Sequence, residues 1–349
     1  ELFSFSGFEV GVVSKVGIKD IAAKSGVSIA TVSHAFRNPG RVSDKTRKKV
    51  LEAAKALGYS PNRLAVSLRT ARSGNIVVII PDITDSHNSN IIKAIEIIAH
   101  GRGYSVLLGD TQGSELRERE FAAMTNSRQA DGIILMSHRM PFDPQAGDLK
   151  MSDLPPLVSG CEFTGHDAIP HVAIDDVQAA RDATEHLLDL GHTEIAVITG
   201  DMDSTSSQNR LKGFKNAMAL AGLTLRSSQV IYSAYNLSDG ETAAQRLLAN
   251  KTRPSAVFCF SDDIALGCMY ALRQKGLNVP TDMSVMGFDN IPFARYCAPP
   301  LTTIAQPTQE IGAACATILL DLLEGKKPEK RHQILPHELL IRESTRRLG

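Results

Sequence analysis

The sequence predicts an α/β protein in which a small all-α N-terminal head precedes a larger body of doubly wound parallel sheets. Apolar residues in the head recur at the three- and four-residue spacing of helices. From Asn75 onward, helix-like segments, glycines and short apolar runs alternate instead, which is typical of parallel sheets covered by helices. Charge is divided in the same way, because the head is basic and the body is acidic.

The bulk composition predicts a cytoplasmic protein of two or three domains. A chain of 349 residues is too long for one small core. No apolar run is long enough for a transmembrane helix, and residues 1–15 lack the pattern of a secretory signal, so we interpret them as an extension or a cloning scar. The five cysteines are scattered without a CxxC pair, which favours a reducing cytosol and argues against structural zinc.

Positive charge is concentrated in the predicted head, residues 16–60, and in the linker of residues 61–74. Residues 16–70 contain eleven Lys or Arg and three Asp or Glu, a balance of +8. Residues 71–349 contain 26 Lys or Arg and 33 Asp or Glu, a balance of −7. This distribution indicates that the head alone binds a polyanion.

Three short helices are predicted in the head. Their apolar faces are Ile18, Ile21 and Ala22 in the first, Val32, Ala35 and Phe36 in the second, and Val50, Ala53, Ala54 and Leu57 in the third. Gly26 supplies the turn after the first helix, Ser28 and Ser43 cap the second and third, and Gly58 ends the third. An ordinary three-helix unit would share this layout, but together with the charge it favours a helix-turn-helix whose second helix enters the DNA major groove.

Four segments of the head resemble the lactose/galactose repressor family: Ile18–Ala22, Gly26–Ser28, Ala30–Ser33 and Gly58–Asn62. The resemblance implies that Ile29, Ala30 and His34 read bases, and that Ser28, Thr31 and Ser33 mainly bond phosphates. Asn62 and Leu68 complete the implied contacts with double-stranded operator DNA. Most family members carry Arg at the position of His34, and a neutral His lacks the bidentate fork of Arg.

The segment from Pro61 to Thr70 is predicted to form a marginal helix, since ten residues are few for a helix alone in water. The family resemblance implies a hinge helix that folds when two copies pair in the DNA minor groove. Leu68 would then be an apolar wedge between base steps. A disordered linker is the alternative when DNA is absent.

The body begins with the continuous apolar run Ile76–Ile80, which predicts a strand buried on both faces. Similar units recur, and residues 75–349 suffice for two sheets. The order resembles the two-lobed body of the same repressor family, a periplasmic-binding-protein-like fold. The resemblance implies a first lobe of about residues 75–174 and 292–322, and a second of about residues 175–291 and 323–343.

Ligands of open α/β sheets bind beyond the carboxyl ends of the strands, where Asp82, Ser137, Glu162, Asp262 and Asp289 are expected. The family resemblance implies that Arg210 and Asp289 bind the effector and that Tyr235 stacks against it. A structural Arg210–Asp289 ion pair and a packing role for Tyr235 are the alternatives. The predicted effector-binding set is His87, Asn88, Ser137, Glu162, Arg210, Tyr235 and Asp289, in which His87 and Asn88 replace a pair that is often aromatic.

Three further segments look closest to the family's cytidine-responsive branch: Met136–Asp143, Glu162–Phe163 and Pro299–Pro307. They imply a nucleoside effector such as cytidine, with a sugar effector as the alternative. The sequence thus predicts a nucleoid-associated transcriptional regulator that acts as a repressor and as a homodimer. Its bodies would pair through the first body helix, around residues 91–98.

Two other classes of protein fit the sequence less well. The enzyme signatures GxGxxG, GxxxxGK[ST], GxSxG and HExxH are absent from the sequence, which predicts no catalytic residue, cofactor or metal site. A small-molecule binding protein without a DNA function would explain the body. It would explain neither the basic head nor the lack of an export signal.

Overall fold

The computed structural model describes residues 16–37, 39–59, 72–142, 153–162, 165–250 and 252–348. The chain divides into two compact units, Glu1–Thr70 and Ala71–Gly349, and each is considered by itself. Residues 1–15, most of the predicted hinge and Phe163 lie outside the described residues. Within those residues, no helix is both long and apolar enough to cross a bilayer.

The head is a bundle of three helices around one small apolar core. Its helices are α1 (Ile18–Ser25), α2 (Ile29–Arg37) and α3 (Asp44–Ala56), with a short 3₁₀ turn at Pro39–Arg41. One residue from each helix, Ile21, Val32 and Val50, is fully buried at the centre. Gly26 has a φ of 63°, a left-handed conformation that glycine adopts without steric cost, and it ends α1 where the sequence predicted a turn.

The first lobe of the body is a fully parallel sheet of six strands in the order β11-β5-β4-β3-β1-β2. Its strands are β1 (Asn75–Ile80), β2 (Ser105–Asp110), β3 (Gly132–Leu135), β4 (Leu157–Gly160), β5 (His171–Ile174) and β11 (His332–Leu335). Its helices are α4 (Ser86–Gly101), α5 (Glu115–Ala122) and α10 (Thr308–Leu323). The residues of the apolar run Ile76–Ile80 are all fully buried, as predicted.

The second lobe repeats this plan in the order β12-β10-β9-β8-β6-β7, with only β12 antiparallel to its neighbour. Its strands are β6 (Ile195–Ile198), β7 (Val230–Ile231), β8 (Ala256–Cys259), β9 (Ser284–Asp289), β10 (Thr302–Ala305) and β12 (Glu338–Leu340). Its helices are α6 (Asp176–Asp189), α7 (Thr205–Leu220), α8 (Leu237–Leu248) and α9 (Asp262–Gln274).

The points at which the chain crosses between lobes differ from the implied ranges. Strand β10 pairs with β9 in the second sheet, although residues 292–322 were assigned to the first lobe. Strand β11 pairs with β5 in the first sheet, although residues 323–343 were assigned to the second. The membership of a strand depends on the neighbour to which its backbone hydrogen bonds run, and a short apolar run does not specify that neighbour.

A glycine lies at a close helix–helix contact in each lobe. A Cβ on Gly312 of α10 would lie 2.4 Å from the backbone oxygen of Ile91 in α4. A Cβ on Gly213 of α7 would lie 2.2 Å from the backbone oxygen of Val177 in α6. These glycines allow each pair of helices to approach closely.

Candidate functional site

Helix α2 presents the predicted DNA-reading residues on the surface of the head. Ser28, Ile29 and Ala30 are exposed, with half of Ile29 accessible to solvent, while Thr31 and His34 are partly buried. The N-cap predicted at Ser28 is confirmed, because its Oγ accepts a hydrogen bond of 3.1 Å from the backbone N–H of Thr31.

Of the other three predicted DNA contacts, the structure describes one. Ser33 is partly buried on α2, whereas Asn62 and Leu68 lie outside the described residues. The outer face of α3 carries the exposed cations that the sequence indicated: Lys45, Arg47, Lys48 and Lys49. Exposed cations beside α2 are suited to phosphate contacts, which position a helix without reading sequence.

Between the two lobes lies a cleft of about 560 Å³, at the carboxyl ends of the strands as predicted. Both lobes contribute to its lining, with Asp82, Ser137 and Glu162 from the first and Ser204, Tyr235 and Asn236 from the second. A second cavity of about 500 Å³ shares Asp82, Tyr235 and Asn236 with it. Within the described ranges, no three His, Cys, Asp or Glu side chains are grouped so as to hold a metal ion.

Arg210, on α7, is buried and has contacts on several sides. Its Nε donates to Asp176 Oδ1 at 2.8 Å, and its Nη1 donates to the Phe260 carbonyl at 2.5 Å. The guanidinium also lies 3.7 Å from the centroid of the Phe288 ring. Asp289 is more distant, at 3.8 Å. The close ion pair of Arg210 is therefore with Asp176, a partner that the sequence analysis missed, because its position at the start of α6 carries no local signal of the contact.

Asp289 is the last residue of β9, where it pairs with Ala305 of β10, and it is only 8% exposed. It adopts a φ of 110°, a strained conformation for a residue with a side chain, and its Oδ1 accepts a hydrogen bond of 2.7 Å from Gln306. Burial raises the pKa of Asp289 to about 6, although the charge of Arg210 and the hydrogen bond from Gln306 both lower it. Asp289 lines neither of the two cavities, but its strained, buried carboxyl has the acceptor oxygens that ligand hydroxyl groups need.

His87, near the start of α4, faces Asp289 from the opposite lobe. Its Nδ1 lies 3.8 Å from Asp289 Oδ1, and its Nε2 lies 3.7 Å from the Cys161 sulfur. Burial lowers the pKa of His87 to about 4, so the imidazole is neutral near pH 7 and this contact is not an ion pair. Nδ1 has no hydrogen-bond partner among the described residues. His87 thus brings an uncharged, polar edge to the interlobe region.

Asn88 and Ser137 form hydrogen bonds within their own lobe. Asn88 donates to Asp85 at 3.0 Å, and Asp85 also caps α4. The Ser137 hydroxyl donates at 2.7 Å to Glu118, a buried carboxylate of α5 that Arg139 also contacts. The sequence analysis missed Glu118, because an acidic residue in a strongly charged helix ordinarily lies on the surface.

Tyr235 forms part of the wall of both cavities. Its hydroxyl is 2.6 Å from the hydroxyl of Ser207 on α7, and burial raises the pKa of Tyr235 to about 12. Its ring lies over Gly200, where an added Cβ would be 2.0 Å from the ring. The ring is therefore fixed by packing and also borders the cleft, so the two interpretations of Tyr235 are compatible.

Glu162, which follows β4, contacts the other lobe. Its Oε1 accepts hydrogen bonds from the hydroxyls of Ser204 and Ser206, at 2.7 and 2.5 Å. Its Oε2 accepts a bond of 3.1 Å from the backbone N–H of Ser206. The sequence analysis missed these serines, although Ser204-Thr205-Ser206-Ser207 is a run of residues that favour the start of a helix.

Comparison with known proteins matches both units of the chain to family models. Residues 17–62 match the bacterial regulatory proteins of the lacI family, and residues 184–345 match the periplasmic binding protein-like domain. The HTH-type transcriptional repressor CytR of Escherichia coli K12 is 39% identical over 331 residues, which cover 95% of this chain and 96% of that protein.

Solved structures share the fold of the chain. The lac repressor dimer bound to operator and the anti-inducer ONPF is 28% identical, with a TM-score of 0.81, over 95% of this chain and all of that chain. A LacI family transcriptional regulator from Enterococcus faecium with bound ribose is 27% identical, with a TM-score of 0.71. That match covers 79% of this chain and 100% of the Enterococcus chain.

Proposed function

The chain belongs to the LacI family of bacterial regulatory proteins, and on this premise we propose that it is a transcriptional repressor whose operator affinity is set by a nucleoside bound between the lobes. The observation that carries the proposal is the pairing, in one chain, of an exposed, capped helix α2 on a basic head with a polar cleft at the strand ends. Neither an enzyme nor a transport-type binding protein needs both features.

On the DNA side, the proposal assigns base reading to Ile29, Ala30 and His34. The hydroxyls of Thr31 and Ser28 lie 2.8 Å apart at the start of α2, where helix N–H groups favour phosphate oxygens. His34 offers one donor or acceptor to a base edge. Binding to non-specific duplex should weaken steeply with salt, since exposed cations of the head release counterions.

On the effector side, Asp289 would accept the hydroxyls of a ribose, and Tyr235 would offer a ring face to the base. Support for a nucleoside comes from the segments Met136–Asp143 and Pro299–Pro307, and from the 39% identity to the repressor CytR. A sugar-responsive regulator is the second candidate, because the Enterococcus faecium relative was solved with ribose. Both candidates place hydroxyl groups on the buried carboxyl of Asp289.

We further propose a homodimer, as in the lac repressor complex with operator. Ile97 on α4 is 58% exposed, in the segment around residues 91–98 that is proposed to pair. Two heads about 34 Å apart would read a near-palindromic site. Effector binding would change lobe closure and alter operator affinity, a coupling of about 1–3 kcal/mol that must act equally in both directions.

The test is a calorimetric titration of the full chain with cytidine, uridine, adenosine, ribose and galactose, for the natural sequence and for Asp289→Ala. Saturable binding of a nucleoside is expected, with a loss of at least tenfold in affinity in Asp289→Ala. Glu329→Ala is the matched control, because Glu329 is exposed and lies outside the cleft lining. Binding of a sugar alone would replace the nucleoside with the second candidate, and equal affinity in Asp289→Ala would remove Asp289 from the site.

A further inference from the structure

The first residues of α7 and its N-cap Ser204 bind a carboxylate of the protein itself, that of Glu162. The donors are the Ser204 and Ser206 hydroxyls and the Ser206 backbone N–H, and all three bond the Glu162 carboxylate at 2.5–3.1 Å. Both serines are buried, at 5% and 6% exposure. A 16-residue helix adds its positive N-terminal dipole to these donors.

This anion site opens onto the cleft instead of lying apart from it. Glu162, Ser204 and Tyr235 all line the cleft of about 560 Å³. Tyr235 in turn bonds Ser207, the next residue of α7, so the proposed stacking ring is hydrogen-bonded to the same helix terminus. A ligand lying against Tyr235 therefore has the α7 terminus within the same enclosure.

We propose that Glu162 determines specificity by filling this anion site, so that the cleft accepts an uncharged nucleoside and excludes its 5′-phosphate. This inference rests on the proposed nucleoside effector. A phosphate needs the same hydroxyl and N–H donors that Glu162 uses, and it would have to displace the carboxylate and remain beside its charge. Glu162 thus acts on the ligand by exclusion, which refines its predicted role as a direct effector contact.

The experiment compares cytidine with cytidine 5′-monophosphate by calorimetry, using the full chain at constant ionic strength. With Glu162 present, the monophosphate should bind roughly 100-fold more weakly than cytidine, or not measurably. In Glu162→Ala, the ratio of the two dissociation constants should fall below roughly tenfold. An equal ratio in both proteins, or tight binding of the monophosphate by the natural sequence, would overturn the proposal.

Inorganic phosphate tests the anion site without any nucleoside. It should raise the thermal midpoint of Glu162→Ala but not of the natural sequence, and the added change Ser206→Ala should reduce the gain by removing one of the three donors. If no nucleoside binds the natural sequence while this phosphate response is seen, the nucleoside proposal fails and the anion site stands. No phosphate response in a folded Glu162→Ala protein would overturn the anion site itself.

Glu162→Gln keeps the experiment decisive should the alanine variant not fold. Glutamine preserves the shape of the side chain and one oxygen acceptor for the serine hydroxyls, but it removes the negative charge. Discrimination against the monophosphate should fall by at least about tenfold in this variant. Undiminished discrimination would show that charge at position 162 does not exclude phosphate, and it would contradict the proposal.

Discussion

Replacing Arg210 with Met should destabilise the body strongly, and more so above pH 6 than below it. The change removes the bond to Asp176 at 2.8 Å and the contact with the Phe288 ring, while Met keeps most of the apolar volume. Loss of one partner from a buried ion pair leaves an uncompensated charge, at a cost of about 3–5 kcal/mol. The Phe260 carbonyl also loses a donor.

The pH dependence follows from Asp176, whose pKa burial raises to about 6 even against the charge of Arg210. A carboxyl whose pKa is higher in the folded than in the unfolded state does not lower the free energy of unfolding below its unfolded pKa, near 3.8. It lowers that free energy by its full amount only above the folded pKa. Without Arg210 the folded pKa of Asp176 rises further, so the cost continues to grow above pH 6. Near pH 5, Asp176 is largely protonated both in the natural sequence and in Arg210→Met. The difference between their free energies of unfolding is therefore smaller at pH 5 than above pH 6.

Urea unfolding followed by circular dichroism at pH 5 and pH 7.5 measures both quantities. Arg226→Met is the matched control, because Arg226 forms an ion pair with Glu194 at the surface, with its side chain 47% exposed, and such pairs contribute less than about 1 kcal/mol. The double variant Arg210→Met with Asp176→Asn should recover part of the lost stability. A loss for Arg210→Met below about 1 kcal/mol, or one equal at both pH values, would refute the reasoning.

Two further changes test the head and the lobe packing. His34→Arg should create a preference for guanine of about 1–3 kcal/mol in binding free energy at one base pair of the operator, measured by selection from random duplexes. An unchanged base preference would exclude His34 from base reading. Gly312→Ala should destabilise the body by about 1–3 kcal/mol in thermal unfolding, since its Cβ would meet the Ile91 oxygen at 2.4 Å. Gly101→Ala, where nothing lies within 4 Å of the added Cβ, should change stability by less than about 0.5 kcal/mol, and a similar loss in both would contradict the packing argument.

The helices of the head and the first strand of the body were predictable, because their signals are local. The spacing of Ile18, Ile21 and Ala22 marks one face of α1, and the Ser28 cap places the start of α2. The continuous apolar run Ile76–Ile80 predicts β1, which is buried throughout. Each signal depends only on residues within a turn or a strand of one another.

The strand ends were predictable for a related reason. Parallel strands all end at the same edge of their sheet, so residues that follow them must lie together. Asp82, Ser137 and Glu162 meet at the cleft on this principle alone. The sequence therefore predicted part of the cleft wall, including Tyr235 through the family resemblance. The other predicted effector residues do not line the cleft: His87, Asn88, Arg210 and Asp289.

Side-chain partners and sheet membership were decided only by the tertiary structure. Arg210 pairs closely with Asp176, 34 positions away, while Ser137 is bound by Glu118 and Glu162 by serines of the other lobe. Strand β10 likewise joins the second sheet through bonds to β9. These contacts depend on distances of a few ångströms between segments remote in the chain, whereas spacing along a sequence constrains only neighbours within one element.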